Sequence, residues 1–477
     1  MKDEGVPMDI ALVNTNRIQP PIAPIGLEYI AEAVHAAGYC PDILDLCWEN
    51  AVDSAIADFF GKKHFDVVGL TLRNTDDCAF TSRQSFLGDF ASIIKKIRSY
   101  SDALIVAGGV GFSVMPASVL QLCEADIGIW GDGEWAMVDL IKKIHKKREW
   151  HTIPNLFFYR DGKLCQNQYS TPPLHNLPLM SRSWFDNRRY FREGGQAGIE
   201  TKRGCHCQCV YCADPVAKGK EIRTRPPQAV VNELERLLEQ GIDHIHTCDS
   251  EFNIPIDHAM EVGREIIRRG LHERLRWYAY CSPLPFSEEL AFLMKKAGCV
   301  GINFSMDSGD ERMLRRLKRN FFPKDMVHTI SLCKKAGMTV MTDLLIGSPG
   351  ETEESIATTI HLLMGSKVDR AGVTVGVRIY PGTELGSHLN DPALKAGCIG
   401  GNNPMEPLFF LEPGIAPSVF HLLDELIGQD ERFLFFDPSR PDKNYNYNAN
   451  QLLVDAIKQG YRGAYWHILR RYSQGLL

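Results

Sequence analysis

Residues Thr201–Cys212 crowd four of the chain's fourteen cysteines into eight positions, and no other feature restricts the fold as tightly. Cys205, Cys209 and Cys212 have the spacing C-x3-C-x2-C. Thiolates are soft ligands and suit iron–sulfur centres. Three of them on one short loop can hold three irons of a 4Fe–4S cube and leave the fourth iron open to a small molecule. Zinc is the competing reading. It takes four protein ligands, and Cys207 or His206 would complete the set. Cys207 is either such a ligand or a bystander.

The rest of the chain is long and ordinary in composition. Its 477 residues suggest two to three domains. A net charge of -6 leaves no basic excess for a nucleic-acid partner. No stretch approaches the roughly eighteen apolar residues of a membrane span. The opening, Met1–Asn16, is acidic at its start and lacks an apolar leader core. Fourteen cysteines without a leader predict a reducing, cytoplasmic setting, where close cysteines act as metal ligands.

Residues 1–148 alternate strand and helix with short connections. Strands are expected at Met8–Asn14, Tyr39–Leu44, Phe65–Leu70, Ala103–Ala107 and Ile127–Trp130. This pattern predicts a doubly wound parallel sheet whose carboxyl-edge loops form a ligand crevice. Glycines stand at two of those loops, 108–111 and 131–133, without a dinucleotide fingerprint. Residues 149–194 read as a connector with a hairpin around Asp161-Gly162. From 195 to 390 six further strands alternate with helices, at Ile199–Thr201, His244–Cys248, Arg276–Cys281, Cys299–Met306, Thr339–Ile346 and Ala371–Tyr380. They predict an open (β/α)6 barrel with its loops converging at the carboxyl face. The aromatic-rich remainder, 391–477, reads as a small, mostly helical C-terminal domain.

The cysteine triplet, Asp249-Ser250-Glu251-Phe252, Asp307-Ser308-Gly309, Gly347-Ser348-Pro349-Gly350-Glu351-Thr352 and Pro381-Gly382-Thr383 follow one another in the order of a known family. Together they resemble the radical S-adenosylmethionine (SAM) superfamily. Pro24-Ile25-Gly26-Leu27, Gly108-Gly109 and Gly131-Asp132-Gly133-Glu134 resemble the cobalamin-binding module that precedes the barrel in one branch of it. The resemblance implies a 4Fe–4S cluster on Cys205, Cys209 and Cys212. It implies SAM contacts from Tyr211, Asp249, Glu251, Asp307, Ser308, Gly347, Pro349 and Tyr380, and cobalamin contacts from Ile25, Gly26, Arg73, Asn74, Thr75, Gly108, Gly109, Gly131, Gly133 and Glu134.

Two departures stand out. The cobalt-binding histidine motif is absent, because Asn14–Gln19 contains no histidine; cobalt would then lack a protein imidazole. Asp307 stands where the family commonly has glutamate. The implied function is methylation of an unactivated centre of a small molecule, with SAM cleaved at the cluster and cobalamin as second cofactor. It would need a one-electron donor of the flavodoxin or ferredoxin type. No general acid or base is demanded, and no catalytic side chain is named. The rivals are cyclisation, rearrangement, oxidation or aminocarboxypropyl transfer on the same architecture. A non-catalytic iron–sulfur sensor is the rival of another class. The C-terminal domain is expected to close over the barrel, with Tyr445 and Tyr447 in a polar loop.

Overall fold

The computed structural model describes residues 8–476. The acidic start Met1–Pro7, part of the leader argument, lies outside the described residues, as does Leu477.

Five parallel strands build the first sheet: β1 (Ile10–Asn14), β2 (Asp42–Asp45), β3 (Val67–Thr71), β4 (Leu104–Gly108) and β5 (Ile127–Ile129). Their order is β2-β1-β3-β4-β5. All five residues of β1 are buried, as a strand covered by helices on both faces requires. The hairpin β6 (Leu156–Arg160) and β7 (Lys163–Gln166) adds antiparallel to β5 and extends this sheet. Part of the expected connector is therefore the edge of the first layer.

The strand β8 (Ala197–Ile199) opens the second sheet. The ribbon of β9 (Lys202–Arg203) and β10 (Arg223–Thr224) brackets the cysteine loop. Then follow β11 (His244–Thr247), β12 (Arg276–Cys281), β13 (Cys299–Asp307), β14 (Thr339–Ile346) and β15 (Arg370–Val375), all parallel. Gly376 takes φ 78° and ends β15 early. The stretch read as one strand, 371–380, thus splits. Its second part, β16 (Val377–Arg378), joins β17 (Cys398–Gly400) and β18 (Leu408–Phe410) in a small antiparallel sheet. From the C-terminal part, β19 (Phe433–Phe435) pairs in parallel with β15 and makes the barrel sheet seven-stranded.

The main apolar core lies between this sheet and its outer helices. Those helices start where capping chemistry says they should. The Thr352 hydroxyl accepts from the Ser355 N–H at 3.2 Å, ahead of Glu353 and Glu354.

The C-terminal part closes the barrel from below. The indole of Trp466 fills the space above Gly301, where an added Cβ would stand 2.8 Å from the ring. Tyr278 and His467 pair beside it at 2.8 Å. These contacts are at the amino ends of the strands, opposite the cysteine loop. On the carboxyl side Leu411 and Glu412 pack on the turn after β14, and the segment 444–450 enters between the domains. It is tied to the first domain by Asn450 N–H to the Gln19 carbonyl (3.1 Å) and Asn448 Nδ2 to the Asp77 carbonyl (3.4 Å).

The two sheets meet through buried charge. Arg182 is fully buried and donates to Glu28 from the first domain (2.7 Å) and Glu233 from the barrel (2.8 Å). Tyr29 and Arg225 complete Glu233. Among the described residues no helix is long and apolar enough to cross a membrane.

Candidate active site

The cysteine loop is pinned at both ends. Asp249, just past β11, accepts from the Thr201 N–H (2.8 Å), the Lys202 N–H (3.2 Å) and the Thr201 hydroxyl (2.6 Å). Gly204 has φ 88°, and a Cβ there would meet the Glu221 carbonyl oxygen at 1.9 Å, so only glycine fits. Further along, the Leu385 N–H donates to the Val210 carbonyl at 2.8 Å. Cys205 is buried and Cys207, Cys209 and Cys212 are half-buried, all as free thiols. Among the described residues no three donors converge as a mononuclear ion requires. A four-iron cube makes no such demand, because each thiolate binds a different iron.

Hydrogen bonding from Cys207 lowers the Cys205 thiol. Burial pushes Cys209 and Cys212 up. Arg319 opposes this at Cys209, donating Nη1 to the sulfur at 3.0 Å.

Arg319 is the main residue the motifs did not disclose. It lies 3.3 Å from Asp307, within 4.0 Å of Glu251, and donates to the Ser305 carbonyl. Asp307 receives the Tyr211 hydroxyl at 2.7 Å. Its backbone has φ 61°, and the β13–β14 register slips beside it. The shorter acid is thus presented on displaced, strained backbone. Of the two acids after β11, Asp249 is committed to the loop backbone. Glu251 is buried, pushed up to about 8 by burial, and keeps an unpartnered oxygen. A cavity of about 280 Å³ opens beside Cys207, Cys209 and Arg319.

The other expected SAM positions divide. Ser308 is fully buried against Thr359 (3.1 Å), so its hydroxyl serves packing. Gly347, at φ 95°, lies against Leu411 and donates its N–H to Glu351 at 3.0 Å, with Pro349 at the tip of the same turn. Tyr380 turns to Cys78 of the first domain, hydroxyl to sulfur 3.4 Å, under Arg378.

On the first domain, Arg73, Asn74, Gly108 and Gly109 form one ledge at the carboxyl edge. The Leu72 N–H donates to the Gly108 carbonyl at 2.8 Å. Gly109 has φ 98° and Gly111 abuts Asn74. Arg73 sits 5.3 Å from the Tyr447 ring. Ile25 reaches toward Gly198 of β8, and Gly26 has open space where its Cβ would be. The remaining candidates are otherwise engaged. Thr75 donates to Asp76 (2.8 Å). Gly131 is covered by Tyr169 and Gly133 by Ile30. Glu134 takes both Nη atoms of Arg203, at 3.0 and 2.6 Å, beside the cysteine loop. That loop of the first domain is part of the seam, because a buried arginine must be matched by carboxylates.

Inside the barrel the strands alternate. Ile245, Ala279, Ile302 and Leu344 face the helices, within the main core. His246, Tyr280, Asn303 and Asp343 face the lumen, where Asn303 Nδ2 donates to Asp343 (2.7 Å) and the His246 and Tyr280 rings stand 4.9 Å apart. Tyr445 enters from segment 444–450 and donates its hydroxyl to Asp343 at 3.2 Å. Gly372 makes room for it, since a Cβ there would lie 2.6 Å from that oxygen. Tyr445 is therefore an anchored side chain inside the barrel, not part of a free loop. A charged residue within the apolar run Thr339–Ile346 was a signal available in the sequence.

A nucleotide-type sheet whose carboxyl edge faces a barrel bearing a three-thiol loop is a two-cofactor enzyme of the cobalamin–radical SAM kind. The radical SAM superfamily is matched over residues 199–363 and the B12 binding domain over residues 12–141. The chain is 31% identical to tryptophan 2-C-methyltransferase of Streptomyces laurentii, across 89% of this chain and 81% of that protein. The structure of the radical SAM methyltransferase TsrM from Kitasatospora setae, with tryptophan and a SAM analogue, superposes with a TM-score of 0.90 at 28% identity, covering 98% of both chains. The same enzyme with cobalamin and a 4Fe–4S cluster gives 0.89 at 26% identity, again covering 98% of both. The chain belongs to the cobalamin-dependent radical SAM methyltransferases. Its cofactors are a 4Fe–4S cluster, SAM and cobalamin, and its substrate is a small molecule.

Proposed function

We propose that this enzyme methylates the indole ring of tryptophan or a close relative of it. The observation that carries the reading is the superposition, over nearly the whole of both chains, on a methyltransferase holding tryptophan. In this reading Cys205, Cys209 and Cys212 hold the cluster, with Arg319 bracing Cys209. Tyr211, Glu251, Asp307 and the Gly347–Pro349 turn border SAM. Arg73, Asn74, Gly108 and Gly109 border cobalamin, the ledge lacking any imidazole for cobalt. Bound together, the cofactors supply the methyl group and the electron chemistry; the protein supplies placement and exclusion of water. The division at about 148, 194 and 390, a cytoplasmic setting and a flavodoxin- or ferredoxin-type donor belong to the same reading.

The test is turnover of the anaerobically reconstituted holoenzyme with SAM and L-tryptophan, read by product mass. A gain of one methylene on the indole supports the reading. SAM consumption with unchanged tryptophan, or gain of an aminocarboxypropyl group, would sink it.

A further inference from the structure

The lumen layer described above is acidic and has no cation of its own. Asp343 has no ion-pair partner among the described residues; its neighbours are Asn303, Tyr445, Tyr280 and, further off, the like-charged Asp307. Each of its oxygens receives one donor, although an ionised carboxylate can accept about four. The Asn303 carbonyl oxygen, held beside it by the Nδ2 bond, is buried and receives no donor. His246 adds no positive charge. Its Nδ1 lies 2.8 Å from the Thr247 carbonyl, which can only accept, and burial lowers its basicity. An enclosed carboxylate and an unsatisfied amide oxygen are costly when left so.

Below this layer the barrel is plugged by Trp466, Tyr278 and Met341. The amino side is therefore closed, and a ligand that enters from the carboxyl side passes the cysteine loop and the Arg73 ledge on its way to Asp343. Whatever occupies the layer is the far end of a molecule whose other end lies near the cofactors.

We infer that Asp343 and Asn303 form the seat of a primary ammonium group on the substrate. An ammonium carries three N–H donors on a compact head. They match two open acceptor directions on Asp343 and the unsatisfied Asn303 oxygen, and the cation neutralises the carboxylate. This deepens the proposed function and rests on it. The substrate enters as the free amine, amino end first, with its ring toward the cofactors. An N-acylated or peptide-embedded residue is rejected, because the plug leaves no space beyond the seat.

Binding of L-tryptophan, tryptamine, indole-3-propionate and N-acetyl-L-tryptophan to the holoenzyme tests this by equilibrium dialysis, in wild type, Asp343→Asn and Asp343→Glu. The wild type should prefer the two amines by about 10- to 100-fold, the worth of a charge-assisted hydrogen bond. Asp343→Asn should bring them down to the level of indole-3-propionate, itself unchanged, and Asp343→Glu should restore part of the preference. Equal weakening of all four ligands by Asp343→Asn, or no amine preference in the wild type, overturns the seat. Phenylethylamine and phenylpropionate separate the two readings. If no indole binds but phenylethylamine is preferred through Asp343, the seat stands and the indole substrate falls.

Discussion

Arg182 and Asp343 are both enclosed charges, yet they are furnished differently. Arg182, at the seam between the sheets, has its donors taken by Glu28, Glu233, Asn187 and the Gly198 carbonyl. Asp343, in the barrel, has two neutral donors and no counter-charge. The cysteine loop shows the same division over a few residues. Arg203 is saturated by Glu134, Asp132 and Glu200, whereas Glu251 keeps an unpartnered oxygen. Saturated buried charge fixes one arrangement of the domains. Unsaturated buried charge costs stability.

The two kinds of region should fail in opposite ways. The largest effect is expected at the loop. Cys209→Ala should abolish the cluster absorbance and methyl transfer, while the unfolding free energy of the apoprotein stays within about 1 kcal/mol of wild type. Retained turnover would remove the assignment of Cys209. Next, Arg182→Ala leaves Glu28 without a cation in a buried site. It should cost about 3–5 kcal/mol in urea unfolding, with turnover per folded, cluster-loaded molecule near wild type. An equal loss of specific turnover would show that the seam takes part in chemistry and erase the distinction.

The smallest effect has the opposite sign. Burial raises the Asp343 carboxyl to about 6, above its unfolded value near 4. Between those values the folded chain holds the proton more tightly, so this group adds stability as pH falls through about 6 and subtracts it above. Asp343→Asn should therefore raise the denaturant midpoint of the ligand-free protein at pH 7.5, and the gain should vanish by about pH 4. Tyr280 and Tyr445, both pushed up by burial, stay neutral throughout. His246 titrates alike in both proteins and cancels in the difference. A variant less stable at pH 7.5 would make Asp343 a structural group like those of the seam.

Much of the scaffold was legible because its signals are local. Buried runs such as Ile10–Asn14 and Thr339–Ile346 read as strands from composition alone. The addition of Phe433–Phe435 to the barrel sheet was not legible, because a three-residue strand is defined by the neighbour it pairs with. The site candidates split on the same ground. The motifs marked both Asp249 and Glu251, and only packing shows that one is consumed by the loop backbone while the other keeps an oxygen free. Arg319 had no motif, since its partners come from residues 209, 251 and 307.

The sequence by itself determined the class of chemistry, because three thiols on one loop and a fixed order of turns are covalent facts of the chain. Only the tertiary structure decided which charges are spent and which are available. It paired Glu134 with Arg203 at the seam and brought Tyr445 to Asp343 across 102 positions. The physical reason is that a polar group's role depends on whether its hydrogen-bonding capacity is already filled, and long-range packing fills it.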